Sequence, residues 1–336
     1  MKEQILSTRQ LCVGYTSKAK TSKVLENLNL TLGRGELTCL LGPNGSGKST
    51  LIRTIANIQK PLEGETWLNG ARLLEVSAKQ LARQLALVLT DRVSPGNLTS
   101  YALVALGRFP YTSWMGNLTE GDKKIIRWAL EVTGTLPFAD RHIGELSDGE
   151  RQKVMIARAL AQQTDLIILD EPTAHLDSPN RIEIFHLLKS LAREANKAIL
   201  LSTHDIESAI GYADRLWLVH SHSVEEGTPE DLVLKGKLEK AFAREGLVFN
   251  HELARFEKPL VLPGLEIEVE GAQPGVTWTK RALQRAGHQI AEGEAQIVIR
   301  VNKHKETWTW TLDAKSFKTV EELLKQLDNL YGNEMD

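Results

Sequence analysis

An apolar run that leads directly into a glycine-rich turn sets the fold class of this chain. The run ELTCLLG occupies residues 36–42, and GPNGSGKS at 42–49 follows it and opens a segment with a helical pattern. This order of strand, turn and helix is the context that gives the Gly-x-x-x-x-Gly-Lys-Ser pattern its meaning, because the turn then directs backbone amides at phosphate groups. The sequence therefore predicts a nucleotide phosphate site at this turn.

The residue types in the turn fit that chemistry. Gly42, Gly45 and Gly47 let the backbone amides converge on an anion. Lys48 supplies a positive charge to the β and γ phosphates, and the Ser49 hydroxyl is a ligand for Mg²⁺. The residues predicted to bind the nucleotide here are Gly42, Pro43, Asn44, Gly45, Ser46, Gly47, Lys48, Ser49 and Thr50.

Two further apolar runs, DLIILD at 165–170 and KAILLST at 197–203, predict strands of the same sheet. The first ends in Asp170, and Glu171 follows it. In ATPases with such a turn the aspartate at this strand end holds Mg²⁺, and Glu171 is placed to act as general base toward water. Continuous apolar strands that alternate with helical segments over residues 1–230 predict an α/β fold with a mostly parallel sheet covered on both faces.

The composition excludes several classes of protein. The 336 residues are 42% hydrophobic and 25% charged with a net charge of -2, which is typical of a soluble two-domain protein and does not favour nucleic-acid binding. Cys12 and Cys39 lack metal-ligand spacing, so neither a disulfide framework nor a zinc site is expected. The N-terminus lacks a secretory signal pattern, and no apolar run reaches the roughly 20 residues that span a bilayer. Any membrane role would come through a partner.

Changes of pattern along the chain predict its organisation. The first 35 residues and residues 64–73 indicate short antiparallel strands, and residues from about 95 to 160 indicate an inserted helical subdomain. A break marked by prolines predicts a boundary between a nucleotide-binding domain at 1–258 and a small α+β domain at 259–336. The small domain is predicted as a β-α-β-β-α module, and its pattern assigns it no role. Its last helix is predicted from helical spacing of Phe317, Val320, Leu324 and Leu327.

Residues 146–160, LSDGERQKVMIARAL, predict a helix that begins with a capping box of Ser147 and Glu150. A helix N-terminus is also an anion site, because its free amides and its dipole favour negative charge. The pattern alone leaves open whether LSDGE is only a cap or also half of an active site.

Taken together, these segments resemble the ATP-binding subunits of ABC transporters over roughly residues 3–250. LSDGE resembles the family signature, AHLD at 174–177 resembles the D-loop, and LLSTHD at 200–205 resembles the segment with the switch histidine. Tyr15 in LCVGYTS matches the aromatic residue that stacks on adenine, and Asp177 and His204 match the D-loop and switch residues. The resemblance implies a P-loop ATPase fold with an antiparallel β subdomain and an inserted helical subdomain.

The resemblance also implies a head-to-tail dimer. Each ATP would lie between the phosphate turn of one copy and Ser147 and Gly149 of the other. His204 would contact the γ-phosphate and hold the attacking water with Glu171, so that the chain hydrolyses ATP to ADP and phosphate with Mg²⁺ bound.

The sequence departs from the family pattern at three positions. Family members usually carry a Mg²⁺-binding glutamine after the strand that here reads LALVLTDR (85–92), and the aligned residue in this chain is Thr90. Either the Thr90 hydroxyl or the Asp91 carboxylate could take that role. Asp148 stands where glycine is common, and we expect it to point away from the nucleotide. His175 stands where serine is usual, and contact with a partner and exposure to solvent remain equal alternatives.

A single ATPase unit without fused membrane helices resembles the subunits of bacterial importers. ALGRFPYTSWMGNLTEGDKK (105–124) resembles the Leu-Gly-Arg-x-Pro-Tyr stretch in the ATPases of iron-siderophore, haem and cobalamin importers, which implies that this surface receives the coupling helix of a permease. The alternative is that its residues Phe109, Pro110, Tyr111 and Trp114 only pack the helical subdomain. The expected partners are a second copy, integral membrane permease subunits and, indirectly, a periplasmic or surface solute-binding protein. The expected location is the cytoplasmic face of the membrane, with iron-siderophore as the favoured substrate.

A soluble ABC-type ATPase switch that acts on nucleic acid or the ribosome is the alternative function. Such proteins usually carry tandem ATPase units or a long coiled coil, and the pattern indicates neither. A GTP switch is excluded because Asn196-Lys197 is followed by Ala-Ile rather than by the x-Asp that recognises guanine.

Overall fold

The computed structural model of the chain describes residues 3–17, 20–89, 97–113, 116–258, 262, 264–291, 293, 295 and 297–331. The chain divides into two units, Met1–Glu257 and Lys258–Asp336. None of the helices in the described ranges is long and apolar enough to cross a membrane.

The first unit alternates strands and helices along the chain. Its strands are β1 (Gln4–Thr16), β2 (Thr21–Leu28), β3 (Thr31–Gly33), β4 (Leu37–Leu41), β5 (Glu63–Leu68), β6 (Ala71–Arg72), β7 (Leu85–Val88), β8 (Leu166–Asp170), β9 (Ala198–Thr203), β10 (Arg215–His220), β11 (Ser223–Gly227), β12 (Val248–Asn250) and β13 (Arg255–Glu257). Its α-helices are α1 (Lys48–Ile55), α2 (Ala78–Leu81), α3 (Ser100–Ala105), α4 (Glu120–Val132), α5 (Asp148–Ala161), α6 (Ser178–Glu194), α7 (Ile206–Tyr212), α8 (Pro229–Leu234) and α9 (Lys237–Phe242). Short 3₁₀ turns lie at Leu73–Glu75, Leu106–Tyr111, Leu136–Phe138 and Ile143–Glu145.

The core sheet has the order β11-β10-β4-β9-β8-β7 and is parallel except for the pair β10 and β11. Alternate side chains of its strands enter two apolar clusters. Leu37 and Leu41 pack with residues of α3 to α7, whereas Leu40 packs with α1 and with strands of the antiparallel sheet. The predicted α/β class and the continuous burial of these strands are confirmed. Because β4, β8 and β9 run parallel, their carboxyl ends meet at one edge, where ligands of such sheets bind.

An antiparallel sheet, β2-β1-β5-β6 with β3 also paired to β1, forms the second layer. This confirms the predicted antiparallel β subdomain. Its strand β1 carries Tyr15 near its end, and α1 lies between this sheet and the core sheet within one apolar cluster. The packing therefore brings Tyr15 to the phosphate turn that begins α1.

The helices α3, α4 and α5 lie between β7 and β8 and pack on one another around Leu103, Ile126 and Val154. They form the predicted helical subdomain.

A buried arginine joins three segments of this subdomain. The Nε atom of Arg108 donates to Asp122 Oδ1 at 2.8 Å, and its Nη1 donates to the carbonyl of Ala161 at 2.7 Å and to Gln163 Oε1 at 2.9 Å. Asp122 also completes a capping box with Thr119 at the start of α4, and the hydroxyl and amide of Thr119 are the main reason that the pKa of Asp122 is lowered. The 3₁₀ turn that contains Arg108 is thereby fixed to the end of α5.

The second unit is a sheet with two helices. Its elements are β14 (Glu266–Gly271), α10 (Gly275–Arg285), β15 (Gln289–Ile290), β16 (Ile297–His304), β17 (Thr307–Leu312), β18 (Lys315–Phe317) and α11 (Val320–Tyr331), and the sheet order is β15-β14-β16-β17-β18. The predicted β-α-β-β-α order lacked β15 and β18. Phe317 was wrongly assigned to the last helix, because it lies in β18 opposite Trp310. Asp313 and Ala314 form the two-residue turn before β18, and they carry no strong hairpin signal.

Candidate active site

The turn between β4 and α1 has a backbone that requires glycine. Gly45 and Gly47 have φ of 77° and 104°, in the left-handed region, and a Cβ on Gly47 would lie 2.5 Å from a Val24 methyl carbon. Gly47 is also the N-cap of α1 and makes no side-chain cap. The amides at the start of α1 are therefore left to a ligand, as at other helix N-termini that bind phosphate.

The side chains of the turn also fit a bound anion. The Lys48 ammonium is buried and donates to the carbonyls of Gly42 at 2.8 Å and Pro43 at 3.1 Å. Burial lowers the pKa of Lys48, and the carboxylates of Glu171 and Asp170 oppose that shift. The Ser46 hydroxyl is buried and has no hydrogen-bond partner in the described part of the chain. A phosphate oxygen would supply the charge and the acceptor that these two groups need.

Tyr15 lines a cleft of about 530 Å³ together with residues of this turn. Tyr15 is 50% exposed, and its hydroxyl is 2.8 Å from Thr50 Oγ1. An aromatic face held at one edge and open to solvent at the other suits stacking by a planar base. The described residues that line the cleft are Tyr15, Val24, Asn44, Gly45, Gly47, Lys48, Ser49, Thr50 and Glu171.

The end of β8 brings carboxylates to the turn. Ser49 Oγ donates to Asp170 Oδ1 at 3.3 Å, so two oxygen atoms of the kind that bind Mg²⁺ are adjacent. Ser202 Oγ donates to the same oxygen at 2.6 Å. The residues present thus fit a Mg²⁺ ion between the turn and β8.

Glu171 joins the phosphate turn to the end of β9. Its Oε1 lies 3.7 Å from Lys48 Nζ, and its Oε2 lies 3.6 Å from His204 Nδ1. His204 directly follows β9 and is 53% exposed on its side chain. A carboxylate that bridges a buried cation and an accessible imidazole can hold a water molecule and take its proton.

The predicted capping box of LSDGE is confirmed. Ser147 Oγ accepts from the Glu150 amide at 3.2 Å, and Glu150 Oε2 accepts from the Ser147 amide at 2.8 Å. Asp148 Oδ1 lies 3.4 Å from Arg151 Nη1, one turn along α5. Gly149 lies against the start of α6, where a Cβ would lie 2.7 Å from Asn180 Oδ1, so a larger residue would require the Asn180 side chain to move.

A single chain brings together only part of the predicted site. The described residues that line the cleft include neither Ser147, Gly149 nor Asp177. Asp177 instead caps α6, where its Oδ1 accepts from the Asn180 amide at 3.1 Å. Thr90, and Asp91 beside it, lie outside the described residues.

Sequence reasoning missed two residues that organise the site. Ser202 lies on β9 and contacts the Asp170 carboxylate and the Glu171 backbone amide, and its only sequence signal is a hydroxyl in an apolar run. Arg181 donates from Nη1 to Asp205 at 2.9 Å and from Nη2 to the Leu176 carbonyl at 3.3 Å, so it ties the AHLD segment to the residue after His204.

The ALGRFPY stretch contains residues that pack the helical subdomain and residues that are exposed at its surface. Arg108 is buried, and the Tyr111 hydroxyl donates to the carbonyl of Gln162 at 3.0 Å, so these two residues pack the subdomain. Phe109 is 77% exposed and, with Pro110, borders a groove of about 460 Å³ whose other lining residues are Ala78, Lys79, Ala82, Thr112 and Ser113. Trp114 lies outside the described residues.

Comparisons with known proteins agree with this geometry. Residues 25–174 match the ABC transporter family, and residues 264–328 match the iron ABC transporter C-terminal domain. The iron(3+)-hydroxamate import ATP-binding protein of Bacillus subtilis is 38% identical over 76% of this chain and 94% of its own length. The ferric enterobactin transport ATP-binding protein of Escherichia coli is 33% identical over 77% of this chain and 93% of its own length.

Solved structures give the same result. A metal-chelate type ABC transporter in an inward-facing conformation matches with a TM-score of 0.62 and 26% identity over 76% of this chain and 96% of that chain. A dimeric bacterial ABC transporter cassette matches with a TM-score of 0.59 and 29% identity, and the match covers 67% of this chain and 99% of that chain. These relatives favour a transporter subunit over a switch on nucleic acid. The chain belongs to the ATP-binding subunits of ABC transporters, and it is an ATPase.

Proposed function

We propose that this chain hydrolyses MgATP at two sites shared between two copies arranged head to tail, and that it thereby energises an importer of iron chelates. The observation that carries the proposal is the convergence of Lys48, Glu171 and His204 at one edge of the sheet, where the Glu171 carboxylate lies 3.7 Å from Lys48 Nζ and 3.6 Å from His204 Nδ1. These groups suit in-line transfer of a phosphoryl group to water, in which positioning and charge stabilisation supply most of the rate.

Each side chain then has a role. Tyr15 stacks on adenine, and Lys48 binds the terminal phosphates together with the amides that open α1. Glu171 takes the proton of the attacking water, and His204 holds that water and the γ-phosphate. Ser49 and Asp170, with Thr90 or Asp91 as a further oxygen donor, would hold Mg²⁺, which when bound neutralises charge on the phosphates.

The second half of each site comes from the partner copy. Ser147 is exposed at the start of a 14-residue helix whose first-turn amides favour an anion, so this end of α5 suits the γ-phosphate of ATP held by the other copy. Gly149 lets α5 pack tightly on α6, and Asp177 fixes the start of α6 beside it.

The importer role rests on the relatives and on the exposed Phe109 groove. Relatives named for iron(3+)-hydroxamate and ferric enterobactin transport suggest that the substrate is an iron-siderophore, with haem and cobalamin as alternatives within the same group. An apolar groove beside the helical subdomain suits a permease segment. The chain would then sit at the cytoplasmic face of the membrane through that permease, and a solute-binding protein would act on the other side.

Substitution of Phe109 tests the permease contact. We expect the Phe109→Glu chain, tagged and purified from detergent-solubilised membranes of its source cells, to recover at least about tenfold less integral membrane protein than the unchanged chain, because it places a charge in an apolar groove. Trp128→Glu is the matched control, since Trp128 is an exposed aromatic residue of α4 that does not line the groove. Recovery of soluble partners alone, or equal recovery from both variants, would contradict the proposal.

A further inference from the structure

Strand β9 carries one hydroxyl on a face where its neighbours are apolar. Ser202 is completely buried, and Ala198 and Leu200, which share its face by strand alternation, belong to the apolar cluster around α1. A hydroxyl in such a place costs free energy unless it is hydrogen-bonded. The hydrogen-bond partners of the Ser202 hydroxyl therefore indicate what it stabilises.

The Ser202 hydroxyl connects the two carboxylate residues of the site. It donates to Asp170 Oδ1 at 2.6 Å and accepts from the backbone amide of Glu171 at 2.8 Å. One hydroxyl thus holds the side chain of the first residue and the main chain of the second.

The bond to Glu171 acts on an unusual backbone conformation. Glu171 has a φ of 46°, a region that residues other than glycine enter only when surrounding contacts hold them there. This conformation places its carboxylate between Lys48 and His204. Loss of the Ser202 bond would release the amide that fixes the turn.

We propose that Ser202 is a positioning residue that orients Asp170 toward Mg²⁺ and Glu171 toward the attacking water. It acts through these two residues and does not touch ATP. The inference rests on the roles proposed above for Asp170 and Glu171.

The substitution Ser202→Ala tests this role. We expect kcat for ATP to fall about tenfold and the Mg²⁺ concentration for half-maximal nucleotide binding to rise about tenfold, because two hydrogen bonds to the site are lost. ATP affinity without Mg²⁺ should change less than about twofold, since Ser202 does not contact the nucleotide. In hydrogen exchange, the Glu171 amide should exchange at least about tenfold faster than in the unchanged chain, while the Leu169 amide should not change.

Two variants separate positioning from general stability. Thr38→Val removes another fully buried hydroxyl from the same sheet face, on the neighbouring strand β4, where Thr38 Oγ1 has no partner among the described residues. It should leave kcat and the Mg²⁺ requirement unchanged. Ser202→Thr keeps a hydroxyl and should regain most of the lost kcat. Equal losses in Thr38→Val, or an unchanged kcat and Mg²⁺ requirement in Ser202→Ala, would overturn the proposal.

Two further measurements test the inference even if Ser202→Ala does not fold, and distinguish its failure from a failure of the proposed site. In the unchanged chain the Glu171 amide should be protected from exchange, and exchange as fast as in an exposed loop would reject the inference. If Asp170→Asn and Glu171→Gln both keep full hydrolysis, the proposed site itself fails and this inference with it. If both lose hydrolysis but Ser202→Ala does not, only the role of Ser202 fails.

Discussion

Glu171→Gln should bind MgATP as tightly as the unchanged chain and hydrolyse it about 10²- to 10⁴-fold more slowly, which is the usual contribution of a general base. The amide keeps the shape of the side chain and its place between Lys48 and His204, but it cannot accept a proton. Binding should survive because the phosphate contacts come from Lys48 and the turn amides. Equilibrium binding of a fluorescent ATP analogue and steady-state release of phosphate would measure the two effects separately.

Glu194→Gln is the control for the amide substitution, because Glu194 is an exposed residue at the end of α6. It should keep both binding and hydrolysis. Hydrolysis by Glu171→Gln within about threefold of the unchanged chain would assign the base to another group.

Arg108→Met should destabilise the first unit by about 3–5 kcal/mol, the usual cost of removing one partner from a buried ion pair. Arg108 and Asp122 are 4% and 6% exposed, and the substitution leaves the Asp122 carboxylate without its cation and the Ala161 carbonyl without its donor. The capping bonds between Asp122 and Thr119 remain. Urea denaturation followed by circular dichroism would measure the free energy of unfolding.

The same helix offers a matched control. Arg127 pairs with Glu131 at 3.0 Å on the exposed side of α4, and Arg127→Met should cost less than about 0.5 kcal/mol. The double variant Arg108→Met with Asp122→Asn should recover part of the loss, because it leaves no buried charge while the amide can still cap α4. Equal costs for Arg108→Met and Arg127→Met would show that the buried pair does not hold the subdomain together.

The sequence predicted the elements whose signal is continuous and local. The strand that ends at Leu41 is an apolar run, and a glycine-rich turn follows it. The strand that ends at Asp170 is also an apolar run, and it is followed by a second acidic residue. Because parallel strands end at one edge, their order alone placed Lys48, Asp170 and Glu171 together.

Contacts between distant segments were not predictable in this way. The serine at position 202 is one polar residue in an apolar run, and nothing local shows that it faces Asp170, 32 positions away. The partners of Arg108 on α4 and after α5 lie 14 to 55 positions along the chain. Phe317 fits helical spacing as well as strand alternation, and only its pairing with Trp310 decides between them.

Mixing two inactive variants tests the shared ATP site most directly. Lys48→Ala should abolish hydrolysis because it damages the phosphate turn. Ser147→Arg should abolish hydrolysis because it blocks the start of α5, while ATP binding remains nearly intact. A mixed dimer of the two would contain one site with an intact turn from the Ser147→Arg copy and an intact helix start from the Lys48→Ala copy. An equal mixture should therefore recover roughly a quarter of the activity of the unchanged chain, because half of the dimers have one of two sites.

The measurement is the rate of phosphate release from mixtures of the Ser147→Arg and Lys48→Ala chains, in which their ratio is varied at constant total concentration. We expect the activity per chain to rise from near zero to a maximum at equal amounts and then to fall. Activity that stays near zero at every ratio, or a Ser147→Arg chain that is active alone, would contradict the head-to-tail arrangement.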